Sequence, residues 1–156
     1  MTVLKNIFFA ILVISVISTL AFFSSPRGEQ EDQYVQDLFG YEDGTYTGQS
    51  QDKYTAEPYW GKVKIKIEKG SIKEVNFSIR DSSLHEDFDK NYEKHFEKIP
   101  EYIEQCRNDL KGVETYPGNL VKNQSLRKVD AISGATWSYN IFRAAADSAL
   151  RKAEIK

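Results

Sequence analysis

With one cysteine, two histidines and one methionine, this chain has few ways to do redox or metal chemistry with its own side chains. Cys106 alone cannot close an intramolecular disulfide, and the sequence lacks the several cysteines that an iron-sulfur cluster needs. His85 and His95 have no Cys or His partner at metal-ligand spacing, so neither is assigned a metal. Gly-x-Gly-x-x-Gly is absent, which removes the usual nicotinamide-binding fold. No Ser-His-Asp or Cys-His arrangement offers a self-activated nucleophile. The chain also lacks an excess of either charge. Its 21 basic and 23 acidic residues leave a net charge of -2, they are interspersed, and no basic stripe points to nucleic acid.

What the chain does have begins with a hydrophobic run. Ile7 to Phe23 is apolar apart from Ser15, Ser18 and Thr19, about the least that crosses a bilayer as a helix. Lys5 and the amino terminus precede it, and Glu29, Glu31 and Asp32 follow. Positive-inside logic then leaves the N-terminus in the cytoplasm and the rest of the chain outside it. The same segment also reads as a cleavable signal, which would leave a secreted or periplasmic protein. Bulky residues near its end, and a weak Ser24-Ser25 site, favour an uncleaved anchor. The expected organisation is therefore a single transmembrane helix or signal over residues 1–23, a polar tether over 24–40 and one domain over 41–156.

Within the domain, the hydrophobic period announces an α+β fold, a small antiparallel sheet packed with helices. Asp43-Gly44-Thr45-Tyr46-Thr47-Gly48 is a β-prone opening segment. Val63, Ile65 and Ile67 alternate with Lys62, Lys64, Lys66 and Glu68, and Val75, Phe77 and Ile79 alternate in the same way across a Lys69-Gly70 turn. That pattern predicts a hairpin with one buried face. From Glu86 to Leu110 apolar residues recur every three or four positions, which predicts helix, with Pro100 starting a second helix or kinking the first. Cys106 falls on the apolar face as a small packing residue. Lys111-Gly112 is expected to end this helix, and Gly112 to Lys122, with Pro117-Gly118, reads as a loop.

The chain's most informative stretch is Asp130-Ala131-Ile132-Ser133-Gly134-Ala135-Thr136, followed by an amphipathic helical pattern from Trp137 to Lys152. It sets hydroxyls and a glycine turn at a helix N-terminus, where unpaired N-H groups and the helix dipole favour a phosphate. A plainer reading is that Ser133 to Thr136 only turns and caps the helix.

These residues resemble the threonine-flavinylation motif of the FMN-binding domain family. That family includes subunits of sodium-pumping quinone reductase and Rnf-type complexes and small extracytoplasmic relatives. The Asp43 to Gly48 opening is similar to that of many members, as is the Gln124-Ser125 pair ahead of Asp130. One stretch departs from the family. Arg80-Asp81-Ser82-Ser83-Leu84-His85 stands where many relatives carry Thr-Pro-Gly-x-Gly, so no ring contact is carried over to that loop. The resemblance implies covalent FMN, attached through its phosphate to Thr136 by a dedicated flavin transferase. Ser133, Gly134, Ala135 and Asp130 complete the cofactor-binding set, and no catalytic or metal residue is implied. It further implies electron transfer between membrane redox partners or quinone. Two other readings stay open: a binding or scaffold module of the same fold without flavin, and a flavin-dependent small-molecule reductase. Trp137 either stacks on a flavin or seals the core, and the core reading is preferred.

Overall fold

The computed structural model describes residues 40–50 and 58–155. The expected anchor at residues 1–23, most of the tether and residues 51–57 lie outside the described residues. No described helix is long and apolar enough to cross a membrane.

Four strands form one antiparallel sheet in chain order: β1 (Gly44–Gln49), β2 (Tyr59–Glu68), β3 (Ser71–Asp81) and β4 (Glu86–Asp87). The expected hairpin is β2 and β3, turned at Lys69-Gly70, with Val63 opposite Phe77 and Ile65 opposite Val75. Alternation works as its period requires. Val63, Ile65 and Ile67 are buried, while Lys62, Lys64 and Lys66 face solvent. Asp43 ties the opening segment to this turn, since its Oδ1 accepts the Gly70 N-H at 2.9 Å.

Two helices cover the inner face, α1 (Pro100–Asn123) and α2 (Thr136–Ala153). Helix α2 lies against β1 and β2 through the fully buried Phe142, Ala145, Ala146 and Ala149. The close approach depends on Gly48, where a Cβ would collide with the α2 backbone at Ala145 and Ala149. Tyr116 and Leu120 of α1 complete this cluster, and a second one joins Ile79, Phe88, Tyr92, Cys106, Val113 and Ile141. Each such Val, Ile, Leu or Phe contributes roughly 1.5–3 kcal/mol by leaving water.

Two sequence expectations are corrected. First, the chain from Glu86 to Ile99 is not one helix. It pairs as β4, bonds Phe88 N-H to Ile79 O at 2.8 Å and makes a 3-10 turn over Tyr92–Phe96. Pro100 then begins a separate helix, as one of the two expectations had it. Second, α1 does not end at Gly112 but runs through Pro117 to Asn123. An internal proline costs about 3 kcal/mol. Burial of Val113, Tyr116 and Leu120 on the same helix face offsets that cost. The helix ends instead at Gln124, which adopts the left-handed conformation (φ 56°). The Gln124 side-chain amide bonds both the N-H and the C=O of Ile72, each at 2.8 Å, fastening the end of α1 to β3.

Candidate flavin site

The turn from Val129 to Thr136 is anchored by buried residues at both ends, Val129 and Ala135. Between them Asp130, Ser133 and Gly134 are exposed, and so is Thr136, the first residue of α2. Gly134 has φ +79°, a conformation that side chains resist, and a Cβ there would approach Asn108 Nδ2 to 3.0 Å. The turn closes with the Ala135 N-H donating to Ile132 O at 2.9 Å.

None of the motif's own side chains caps α2. The cap comes from α1. Asp109, 3% exposed, accepts from the Ser138 N-H at 3.0 Å and from Ser138 Oγ at 2.9 Å. Its other oxygen accepts from Gln105 Nε2 at 2.6 Å, and the same nitrogen donates to Gly134 O at 2.7 Å. Ser138 Oγ also lies 3.1 Å from Ala135 O, so its one hydrogen is shared between that carbonyl and Asp109. Tyr116 clamps the turn from the other side, donating to Ala135 O at 2.9 Å and accepting from the Ile132 N-H at 3.2 Å. Burial holds the Tyr116 phenol above its ordinary pKa, so it stays a donor across the physiological range.

Asp130 takes no part in these hydrogen bonds, and the carboxylate that holds the turn is Asp109 of α1. Gly112 permits it. A Cβ at Gly112 would lie 2.6 Å from Ser138 Oγ and 2.7 Å from Tyr116 Cε2, so α1 packs this close to the start of α2 because position 112 carries no side chain. The Ser138 N-H is committed to Asp109, Ser138 Oγ lies between Asp109 and Ala135 O, and Tyr139 N-H bonds Ala135 O at 3.1 Å. The helical N-H groups of Thr136 and Trp137 remain at the open end beside the Thr136 hydroxyl.

Trp137, the residue after Thr136, lines a groove of about 530 Å³, within the range of small-molecule sites; Thr136 itself is not part of the lining. Tyr59, Phe88, Phe96, Tyr102 and Trp137 give it aromatic walls, and Gln105, Cys106 and Asp109 contribute from α1. Trp137 packs edge-on against Tyr59 (5.1 Å, 90°) and Phe88 (5.2 Å, 60°), and it also lines the groove. Cys106 is buried as expected, and burial, with Glu93 and Asp109 nearby, pushes its thiol up to about 11, so it stays protonated and inert.

Behind Tyr59 runs a hydrogen-bonded chain. Tyr59 and Tyr92 hydroxyls lie 2.8 Å apart, and Tyr92 donates to Asp81 Oδ2 at 2.6 Å. Asp81 is 3% exposed, and its Oδ1 accepts the Ser83 and Leu84 N-H groups at 2.7 and 3.1 Å. Burial alone would raise the Asp81 pKa, but the bonds from Tyr92, Leu84 and Ser83 outweigh it and hold the carboxyl below its ordinary value. Burial, with the Asp81 bond, pushes the Tyr92 phenol far above its ordinary value. Thus the stretch that departs from the family's pattern supplies a buried anion one phenol removed from the groove wall.

Sequence reasoning missed Gln105, Asp109, Gly112, Tyr116 and the Asp81 chain. One signal was present: Asp109 sits in the apolar series Cys106, Val113, Tyr116, Leu120, where a charged residue needs a partner. Reading 112–122 as a loop broke that series. His95 pairs with Glu86 at 3.0 Å on the surface. Among the described residues, no cluster of His, Cys, Asp or Glu is arranged to hold a metal ion.

An α+β domain that sets an exposed threonine, free helical N-H groups and an aromatic groove side by side fits a ligand with a phosphate and a flat ring. Residues 57–151, more than half of the chain, match the FMN-binding domain family, and the chain belongs to that family. It is a flavoprotein domain by that membership. The fold is similar to the crystal structure of the CPE2226 protein from Clostridium perfringens, with a TM-score of 0.57 and 24% identity. That match covers 72% of this chain and 88% of the other. No curated protein matches.

Proposed function

We propose that this protein carries FMN covalently, as a phosphoester on Thr136, and passes electrons between redox partners while tethered to the membrane outside the cytoplasm. The observation that carries the reading is the exposed Thr136 at the start of α2, with the next residue, Trp137, in the wall of an aromatic groove of about 530 Å³. A threonine hydroxyl is a weak nucleophile, and no base is hydrogen-bonded to Thr136 among the described residues, so attachment depends on a separate transferase. In this reading Ser133, Gly134 and Ala135 shape the turn and the Thr136 and Trp137 N-H groups face the phosphate. Asp130, exposed and uncommitted, is a surface for the transferase to read. Tyr59, Phe88 and Trp137 hold the ring and exclude water. The FMN itself, when bound, supplies the redox chemistry in one- or two-electron steps.

The tether follows from the apolar run at residues 7–23 and its flanking charges. One measurement tests attachment and tether together. The chain is produced with a flavin transferase acting outside the cytoplasm, recovered from membranes and weighed intact. The expected mass is that of the full sequence plus one FMN less a water, and Thr136→Ala should remove only the flavin increment. An adduct that persists in Thr136→Ala would falsify the site, and a mature chain starting after residue 23 in the soluble fraction would reject the tether. Carrier function predicts that the chemically reduced holoprotein is reoxidised by membrane fractions. Saturable turnover of one small organic acceptor without membranes would instead make it a reductase.

A further inference from the structure

The charged side chains that line the groove at Trp137 are of one sign. Among the described residues, no lysine or arginine lines it, whereas Asp109 does. A second buried carboxylate, Asp81, stands behind Tyr59 at the end of the Tyr92 chain. Both are 3% exposed, and neither has a cation within salt-bridge distance among the described residues. On α1, Arg107 is exposed and forked onto Glu93 at 2.6 and 3.1 Å. The hydrogen bonds of the two aspartates are all accepted, so their charge is stabilised in place by neutral donors rather than cancelled.

The chain from Asp81 is also polarised. Tyr92 commits its hydrogen to Asp81, so between the two phenols Tyr59 is the donor and Tyr92 the acceptor. Both phenol hydrogens therefore point along the row toward Asp81. Fixed negative charge beside an apolar ring site opposes added electrons, and the low local dielectric strengthens the effect.

Resting on the reading that FMN occupies this groove, we infer that Asp81 and Asp109 set a low reduction potential for it by disfavouring negative charge on its ring. Asp109 acts directly from the groove wall. Asp81 is a positioning residue, acting through Tyr92 and Tyr59. The site is thereby suited to pass electrons onward to an acceptor of higher potential rather than to store them.

The test is the midpoint potential of the FMN-loaded full chain, read from its visible spectrum during reductive titration. Asp81→Asn and Asp109→Asn should each move the equilibrium roughly tenfold toward reduction, about 30 mV upward for a two-electron couple. Asp81→Glu keeps the charge and should stay near the parent value, which separates charge from packing. Asp109 also caps α2, so if Asp109→Asn does not fold, Asp81→Asn tests the same sign by itself. Loaded variants with unchanged or lowered potentials would overturn the inference while leaving the Thr136 adduct intact. A chain that takes up no FMN would overturn both readings, and intact mass tells the two failures apart.

Discussion

Helices α1 and α2 begin in the same nominal way and are held by different means. Each follows an apolar residue, Ile99 or Ala135, whose side chain makes no capping bond. At α1 the remedy is local. Pro100 has no N-H to satisfy, Glu101 complements the dipole, and the end is exposed to water. At α2 the remedy comes from residues 20 to 30 positions upstream. Asp109 takes the Ser138 N-H, Tyr116 holds the turn, and Gly112 makes room for both. An ordinary cap at Ala135 would crowd its packing, for Ala135 is fully buried and its Cβ is the third neighbour of a Cβ at Gly112. Moving the cap to another helix leaves the start of α2 open on the side where Thr136 stands.

Breaking the remote cap should have the largest effect. Asp109→Ala strands the buried Ser138 N-H and leaves the Ser138 hydroxyl and the Gln105 amide only their second acceptors, Ala135 O and Gly134 O, and a loss of about 3 kcal/mol is expected. Urea unfolding followed by tryptophan fluorescence measures it. A loss under about 1 kcal/mol would mean that water replaces the carboxylate and that α2 needs no help from α1.

Next come two glycines of α1 that answer in opposite directions. Gly112→Ala forces apart Ser138 and Tyr116 and should destabilise by about 2 kcal/mol. Gly118→Ala meets nothing within 4 Å and should stabilise by up to about 1 kcal/mol through helix propensity. Equal responses at the two positions would show that the close contact at the turn is not the constraint.

The smallest change sharpens the contrast from the other side. Ile99 is 42% exposed and sits at φ -134°, outside the helix, so Ile99→Ser can offer α1 the cap it lacks. A gain of about 0.5 kcal/mol is expected. A loss in the same urea experiment would show that Ile99 is held by packing and that the start of α1 is not merely local.

Much of the fold was legible in the sequence because alternation and helical period are local signals. Lys62 to Glu68 alternates so strictly that its buried face could be named residue by residue. The start of the last helix was legible too, since Gly134 and the amphipathic run mark it. The course of α1 past Gly112 was not. Glycine and proline are breakers by propensity, and only the partners of Val113, Tyr116 and Leu120 explain why the helix continues.

The sequence alone therefore determined the elements whose causes are near neighbours in the chain: the hairpin, the turn at Gly134, the hydroxyl at Thr136 and the membership those residues signal. Tertiary structure alone decided which groups surround that hydroxyl. Asp109, Tyr116 and the Asp81 chain reach the site across separations of about 20 to 55 residues, through contacts that exist only when α1, α2 and the sheet are packed. No local pattern encodes such contacts, because burial, which turns a surface aspartate into a cap or a fixed charge, is a property of the assembled core.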